Sequence, residues 1–126
     1  MVKSICIIDD EDEILDNLKI EINHIHPEWK IVTYSTGLSA IKDIYSGKFD
    51  IVLTDIAMPD MDGYEIYWRV KDYNPQLPVI MMTGFGYDPN HVLVRSRHNG
   101  LEDSDIIYKP FDYEQLSILL ENKLKK

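Results

Sequence analysis

A chain of 126 residues, 44% hydrophobic and 28% charged, holds one globular domain with a real core and no second domain of ordinary size. Its 22 acidic residues outweigh 13 basic ones for a formal net charge of -9, which opposes binding to a nucleic-acid backbone or an anionic membrane. The sole cysteine, Cys6, falls in an apolar run, no stretch approaches membrane-spanning length and no basic leader precedes the first strand, so the expected location is a reducing cytoplasm.

In chain order, Ile5, Cys6, Ile7 and Ile8 read as a buried strand that runs into Asp9, Asp10 and Glu11. Ile14, Leu15, Leu18, Ile22 and Ile25 then recur at helical spacing, with acidic residues in the first turn, and this helix ends near His26 and Pro27. His24 and His26 are alternate residues that cannot face one another on a helix, so they read as solvated helix-end histidines and not as a metal pair. Residues 29–34 form a second strand, and Leu38, Ile41, Ile44 and Tyr45 mark a short helix stopped by Gly47. The run Ile51, Val52, Leu53 is a strand buried on both faces that closes on Asp55, followed by a loop punctuated by Pro59, Asp62 and Gly63. Glu11, Asp60 and Asp62 read as cap and turn residues.

A third helix starts near Gly63, carries Tyr64, Tyr67, Val70 and Lys71, and stops before Asn74 and Pro75. Val79, Ile80, Met81 and Met82 lead to Thr83, and residues 84–105 are the least regular part of the chain, with at most a short helix. Ile106, Ile107 and Tyr108 lead to Lys109 and Pro110, and a last amphipathic helix turns Leu116, Leu119, Leu120 and Leu124 inward, with Lys123, Lys125 and Lys126 at its cation-favouring end.

Alternating strands and helices imply an α/β fold, a single doubly wound sheet of five parallel strands with the common order 2-1-3-4-5 and an irregular fourth βα segment. Ligand sites in such folds lie outside the carboxyl ends of the strands, and there Asp9, Asp10 and Asp55 would cluster, flanked by Thr83 and Lys109. Three carboxylates at close range repel one another, and a bound cation resolves the conflict. Magnesium suits a carboxylate, water and phosphate oxygen set, whereas zinc would want Cys and His ligands. One aspartate can then act as a nucleophile beside a metal, an ammonium and a hydroxyl, which is the composition of an acyl-phosphate site.

The segments Ile8-Asp9-Asp10-Glu11, the stretch 50–63 around Asp55, Thr83-Gly84 and Lys109-Pro110-Phe111 occur in an order that strongly resembles the receiver domain of bacterial two-component response regulators, the CheY-like, flavodoxin-like family, over essentially the whole chain. The resemblance implies that residues 1–126 are one receiver domain in which Asp55 accepts a phosphoryl group from a sensor histidine kinase or phosphotransfer protein. It further implies that Asp10 ligates magnesium directly, Asp9 acts through water and the carbonyl of Ala57 is another ligand. Thr83 would follow the phosphoryl group on activation, Lys109 would pair with it, and the Lys109–Pro110 bond would be cis. Phosphorylation would switch binding to a downstream protein or effector domain, or form a phosphorylation-dependent dimer, and catalysis would extend only to the domain's own phosphorylation and dephosphorylation.

Two features depart from the family pattern. Ile106 stands where a switch aromatic usually lies, with Tyr108 expected on the other face, and the segment before Lys109 is longer than usual. A receiver-like interaction domain with phosphate-independent output is one alternative. A magnesium-dependent aspartyl-phosphate phosphohydrolase is another, but such enzymes usually carry a second aspartate where this chain has Ala57. By the same resemblance, the residues two beyond Asp55 and Thr83 set the lifetime of an acyl phosphate. Ala57 offers no polar side chain to orient an attacking water, and Phe85 either folds over the site, which would exclude water and slow the loss, or packs against Tyr87 or solvent in a glycine-flanked loop.

Overall fold

Every residue of Ile51–Asp55 is buried, as a strand covered by helices on both faces requires. In the computed structural model, which describes residues 2–84 and 105–125, this strand is β3. Around it lie β1 (Ser4–Ile8), α1 (Asp12–Ile25), β2 (Lys30–Tyr34), α2 (Gly37–Ile44), α3 (Gly63–Tyr73), β4 (Val79–Thr83), β5 (Ile106–Tyr108) and α4 (Tyr113–Leu124). The strands form one parallel sheet in the order β2-β1-β3-β4-β5, the expected doubly wound arrangement. The irregular segment, with Phe85 and any helix between β4 and β5, lies at residues 85–104, outside the described residues.

Strand alternation divides the core into two layers. Cys6, Ile8, Val52 and Met81 face α2 and α3 with Ile41, Ile44, Ile66 and Tyr67. Ile5, Ile7, Leu53 and Ile80 face α1 and α4 with Leu15, Leu18, Leu116 and Leu120. Burial and the nearby Asp43 charge push the Cys6 thiol far above its ordinary pKa, as befits a core residue. No helix among the described residues is long and apolar enough to cross a membrane.

Four local expectations change. Leu38 and Tyr45 are 62% and 44% exposed, because the stripe that α2 buries is Gly37, Ala40, Ile41 and Ile44. Ile106 packs in the α2–α3 layer and Ile107 against the α1–α4 layer, so alternation returns Tyr108 to the side of Ile106, where it is exposed. His26 is not a solvated helix end: its ring stacks on Trp29 and bonds to α4.

Asp60 reaches further than a turn residue. Its carboxylate accepts from Gly37 N (3.3 Å) and Leu38 N (3.1 Å), so the loop after β3 caps the first turn of α2 beside the local Thr36 cap. Burial opposes the charge, but the backbone donors of Leu38 and Gly37, joined by those of Met61 and Asp60 itself, together outweigh it and hold the Asp60 carboxyl below the usual carboxylate range. The capping contribution is therefore full above the ordinary carboxylate pKa and is lost as pH falls through the lowered one. Asp60→Ala is expected to cost about 1 kcal/mol in urea denaturation at neutral pH, with the gap to wild type closing in acid.

Candidate functional site

The carboxyl ends of four strands meet at one edge of the sheet. Asp9 and Asp10 follow β1, Asp55 ends β3, Thr83 ends β4 and Lys109 follows β5. The register Asp55↔Met82 and Thr83↔Tyr108 sets these ends side by side, and Lys109 N donates to Thr83 O at 2.7 Å. The Lys109–Pro110 bond is cis, as expected.

Lys109 Nζ donates to Asp9 Oδ2 at 3.1 Å and to Asp55 Oδ1 at 3.3 Å, bridging the two carboxylates. Asp9 is fully buried and its other oxygen accepts from Glu11 N at 2.9 Å. Asp10 is exposed, yet Asp9, Asp10 and Asp55 each bring one oxygen within 4.8 Å of the others. Thr83 is buried beside them, and Ala57 is exposed in the loop after β3. The structure thus gathers Asp9, Asp10, Asp55, Thr83 and Lys109 at one edge.

Burial of Asp55, reinforced by the Asp9 charge, pushes its pKa above the usual carboxylate range, although Lys109 pulls it down. For Lys109, burial opposes the ammonium, but Asp55 and Asp9 outweigh it and raise the pKa above the ordinary lysine value. One ammonium therefore compensates three carboxylates only in part. A divalent cation fits this donor set: three carboxylate oxygens lie within 4.8 Å of one another with one ammonium to offset them, and hard divalent cations take such oxygen ligands.

The backbone behind Asp55 is held by residues that the sequence pattern did not single out for this role. Thr54 Oγ1 donates to Asp55 O at 3.0 Å, and Gly63 N donates to Ile56 O at 2.8 Å. A Cβ on Gly63 would stand 2.7 Å from Asp55 O and 2.8 Å from Ile56 Cα, so α3 begins directly against the peptide that follows Asp55. Asp62 N-caps the same helix by accepting from Glu65 N at 2.9 Å, as expected of a cap residue.

Because the folded chain favours protonated Asp55, it binds more protons than the unfolded chain between the ordinary and the raised pKa, and metal-free stability rises as pH falls through that window. Without divalent cations, Asp55→Asn is expected to melt above wild type at neutral pH, with the advantage vanishing in acid. Magnesium is expected to raise the wild-type melting temperature as RT ln(1 + [L]/Kd) and to do so less in acid. A wild-type melting temperature indifferent to magnesium would refute the cation site.

The family model described as the response regulator receiver domain matches residues 5–121. The chain is 32% identical over 96 residues to the transcriptional regulatory protein ZraR of Klebsiella oxytoca, covering 76% of this chain and 21% of that protein. It is 27% identical over 125 residues to the probable transcriptional regulatory protein TcrX of Mycobacterium tuberculosis, covering 98% of this chain and 50% of that one. The chain thus spans half or less of these relatives' length. Among solved structures, the response regulator receiver domain protein (CheY-like) of Methanospirillum hungatei JF-1 aligns with a TM-score of 0.86 at 28% identity, over 99% of this chain and 95% of that chain.

Proposed function

This chain belongs to the response regulator receiver domain family of two-component signalling, and from that premise we propose that Asp55 is its phosphoacceptor. The observation that carries the reading is the Lys109 ammonium held 3.1 Å from Asp9 and 3.3 Å from Asp55 at an edge where three carboxylate oxygens converge. An Asp55 oxygen attacks the phosphorus of a phosphohistidine on a sensor kinase or phosphotransfer protein; the P–O bond forms, the P–N bond breaks and the nitrogen leaves with its electron pair. Lys109 pairs with the charge on the phosphoryl oxygens, and the Thr83 hydroxyl donates to one of them.

Magnesium, held by Asp10, Asp55, the Ala57 carbonyl and, through water, Asp9, would supply positive charge opposite the transferring group. Phosphorylation then switches binding to a downstream protein, an effector domain or a second copy. The phosphohydrolase alternative is disfavoured because Ala57 offers no carboxylate to activate an attacking water. Incubation with magnesium and acetyl phosphate is expected to add the mass of one phosphoryl group to the intact chain, and chelation is expected to prevent it. Absence of the adduct, or an adduct indifferent to chelation, would overturn the assignment.

A further inference from the structure

His26 caps the C-terminal end of α1, and several groups converge on its ring. The ring stacks on Trp29 with centroids 3.8 Å apart and planes within 10°. Nδ1 lies 3.1 Å from Glu28 Oε1 in the turn before β2. Nε2 lies 2.8 Å from Ser117 Oγ and 2.7 Å from Glu121 Oε1, both on α4. Asn23 Nδ2 braces the turn by donating to the carbonyls of His26 (3.4 Å) and Trp29 (3.0 Å).

Ser117, His26 and Glu28 have the connectivity of a hydrolase relay. Ser117 is only 2% exposed, however, and Glu121 shares its nitrogen, so no substrate carbonyl reaches the hydroxyl and nucleophilic catalysis is excluded. What the geometry demands instead is a proton. A neutral imidazole has one N–H and one lone pair, and an ionised carboxylate only accepts. With the hydrogen on Nδ1, the Nε2 lone pair confronts Glu121 at 2.7 Å; with the hydrogen on Nε2, the Nδ1 lone pair confronts Glu28 at 3.1 Å. Ser117 can donate or accept, so it does not discriminate between the tautomers. Only the imidazolium donates to both carboxylates, and it also lies flat on an aromatic face that favours a cation.

We propose that His26 is a proton-operated latch between the end of α1 and α4: uptake of one proton by its ring tightens the seat of α4, and loss of that proton loosens it. The groups that face the ring are Glu28 and Trp29 from the turn before β2, and Glu121 and Ser117 from α4. Both carboxylates are satisfied at once only when the ring carries its second hydrogen, so the contact between the end of α1 and α4 is complete in that form alone. Glu28 and Glu121 are 61% and 37% exposed, so solvent screening keeps the effect modest.

The test is urea denaturation of the full chain at about pH 6 and about pH 8 for wild type, His26→Gln, Glu121→Gln and Glu28→Gln. The ratio of wild-type to His26→Gln folding equilibrium constants is expected to be about threefold larger at the acidic pH. Either glutamine variant at a carboxylate leaves a partner that a neutral tautomer can satisfy, so each is expected to flatten the wild-type pH dependence. Amide exchange across residues 116–121, corrected for intrinsic rates and referenced to β3, is expected to show greater protection at about pH 6. A wild-type to variant ratio independent of pH, or equal protection of α4 at both pH values, overturns the latch; should His26→Gln fail to fold, an unchanged pH dependence in both glutamate variants does the same.

Discussion

Asp55→Asn is expected to abolish the phosphoryl adduct while leaving a folded chain. The substitution keeps the side chain's shape and its ability to accept from Lys109 Nζ, but an amide lacks the anionic oxygen that attacks phosphorus. Because the wild-type carboxylate is held in a site that disfavours its charge, the variant should be no less stable than wild type without metal, so loss of labelling cannot be ascribed to unfolding. Two further variants separate the roles around it. Asp10→Ala is expected to suppress labelling at low magnesium with partial recovery at high magnesium, because it weakens the cation site and spares the nucleophile. Lys109→Ala removes the charge aimed at the phosphoryl oxygens and is expected to slow labelling about 10²-fold at any magnesium concentration. Time courses of intact mass with acetyl phosphate discriminate the three patterns. Labelling of Asp55→Asn at the wild-type rate would place the acceptor elsewhere.

Gly63→Ala is expected to destabilise the chain by about 3 kcal/mol, the upper end of overpacking costs, because the added carbon would meet backbone at 2.7 and 2.8 Å. Gly37 provides the control. A Cβ there would meet Met61 Cβ, which moves only with its backbone, at 2.9 Å and the movable tip Ile66 Cδ1 at 3.2 Å; with one rigid contact, and that one longer than either at Gly63, Gly37→Ala should cost less. Relief in Gly63→Ala must come from the peptide between Asp55 and Ile56, so the surviving folded fraction should also label slowly. Urea midpoints with slopes, followed by labelling rates normalised to folded protein, check both parts. Equal costs for the two glycine variants would mean that α3 does not press on that peptide.

The sheet and most of the site edge were legible in the sequence because both are written in local terms. The central strands β1, β3 and β4 are short runs of mostly buried residues, and the edge strands β2 and β5 are short apolar runs only partly buried. Asp9, Asp55, Thr83 and Lys109 each stand at or just beyond a strand end, where parallel order brings them together. The parts that were not legible depend on pairings across the chain. Asp60 and Leu38 are 22 residues apart and His26 and Ser117 are 91 apart, and no periodicity within either segment announces such a contact. Gly63 was read as turn punctuation, yet its φ is not left-handed, and what excludes a side chain there is the proximity of another backbone. The stripe on α2 was misjudged for a related reason: a helix of eight residues offers too few turns for its apolar phase to be fixed without the sheet beneath it.

The bridge from Lys109 to Asp9 spans 100 residues and that to Asp55 spans 54. During ribosomal synthesis the carboxylates therefore emerge long before the ammonium, and a nascent chain that ends short of β5 carries Asp9 and Asp55 without their counter-charge. Closing a loop of that length has an entropic cost that only a completed sheet offsets, so the ammonium meets the two carboxylates only once the last strand is in place.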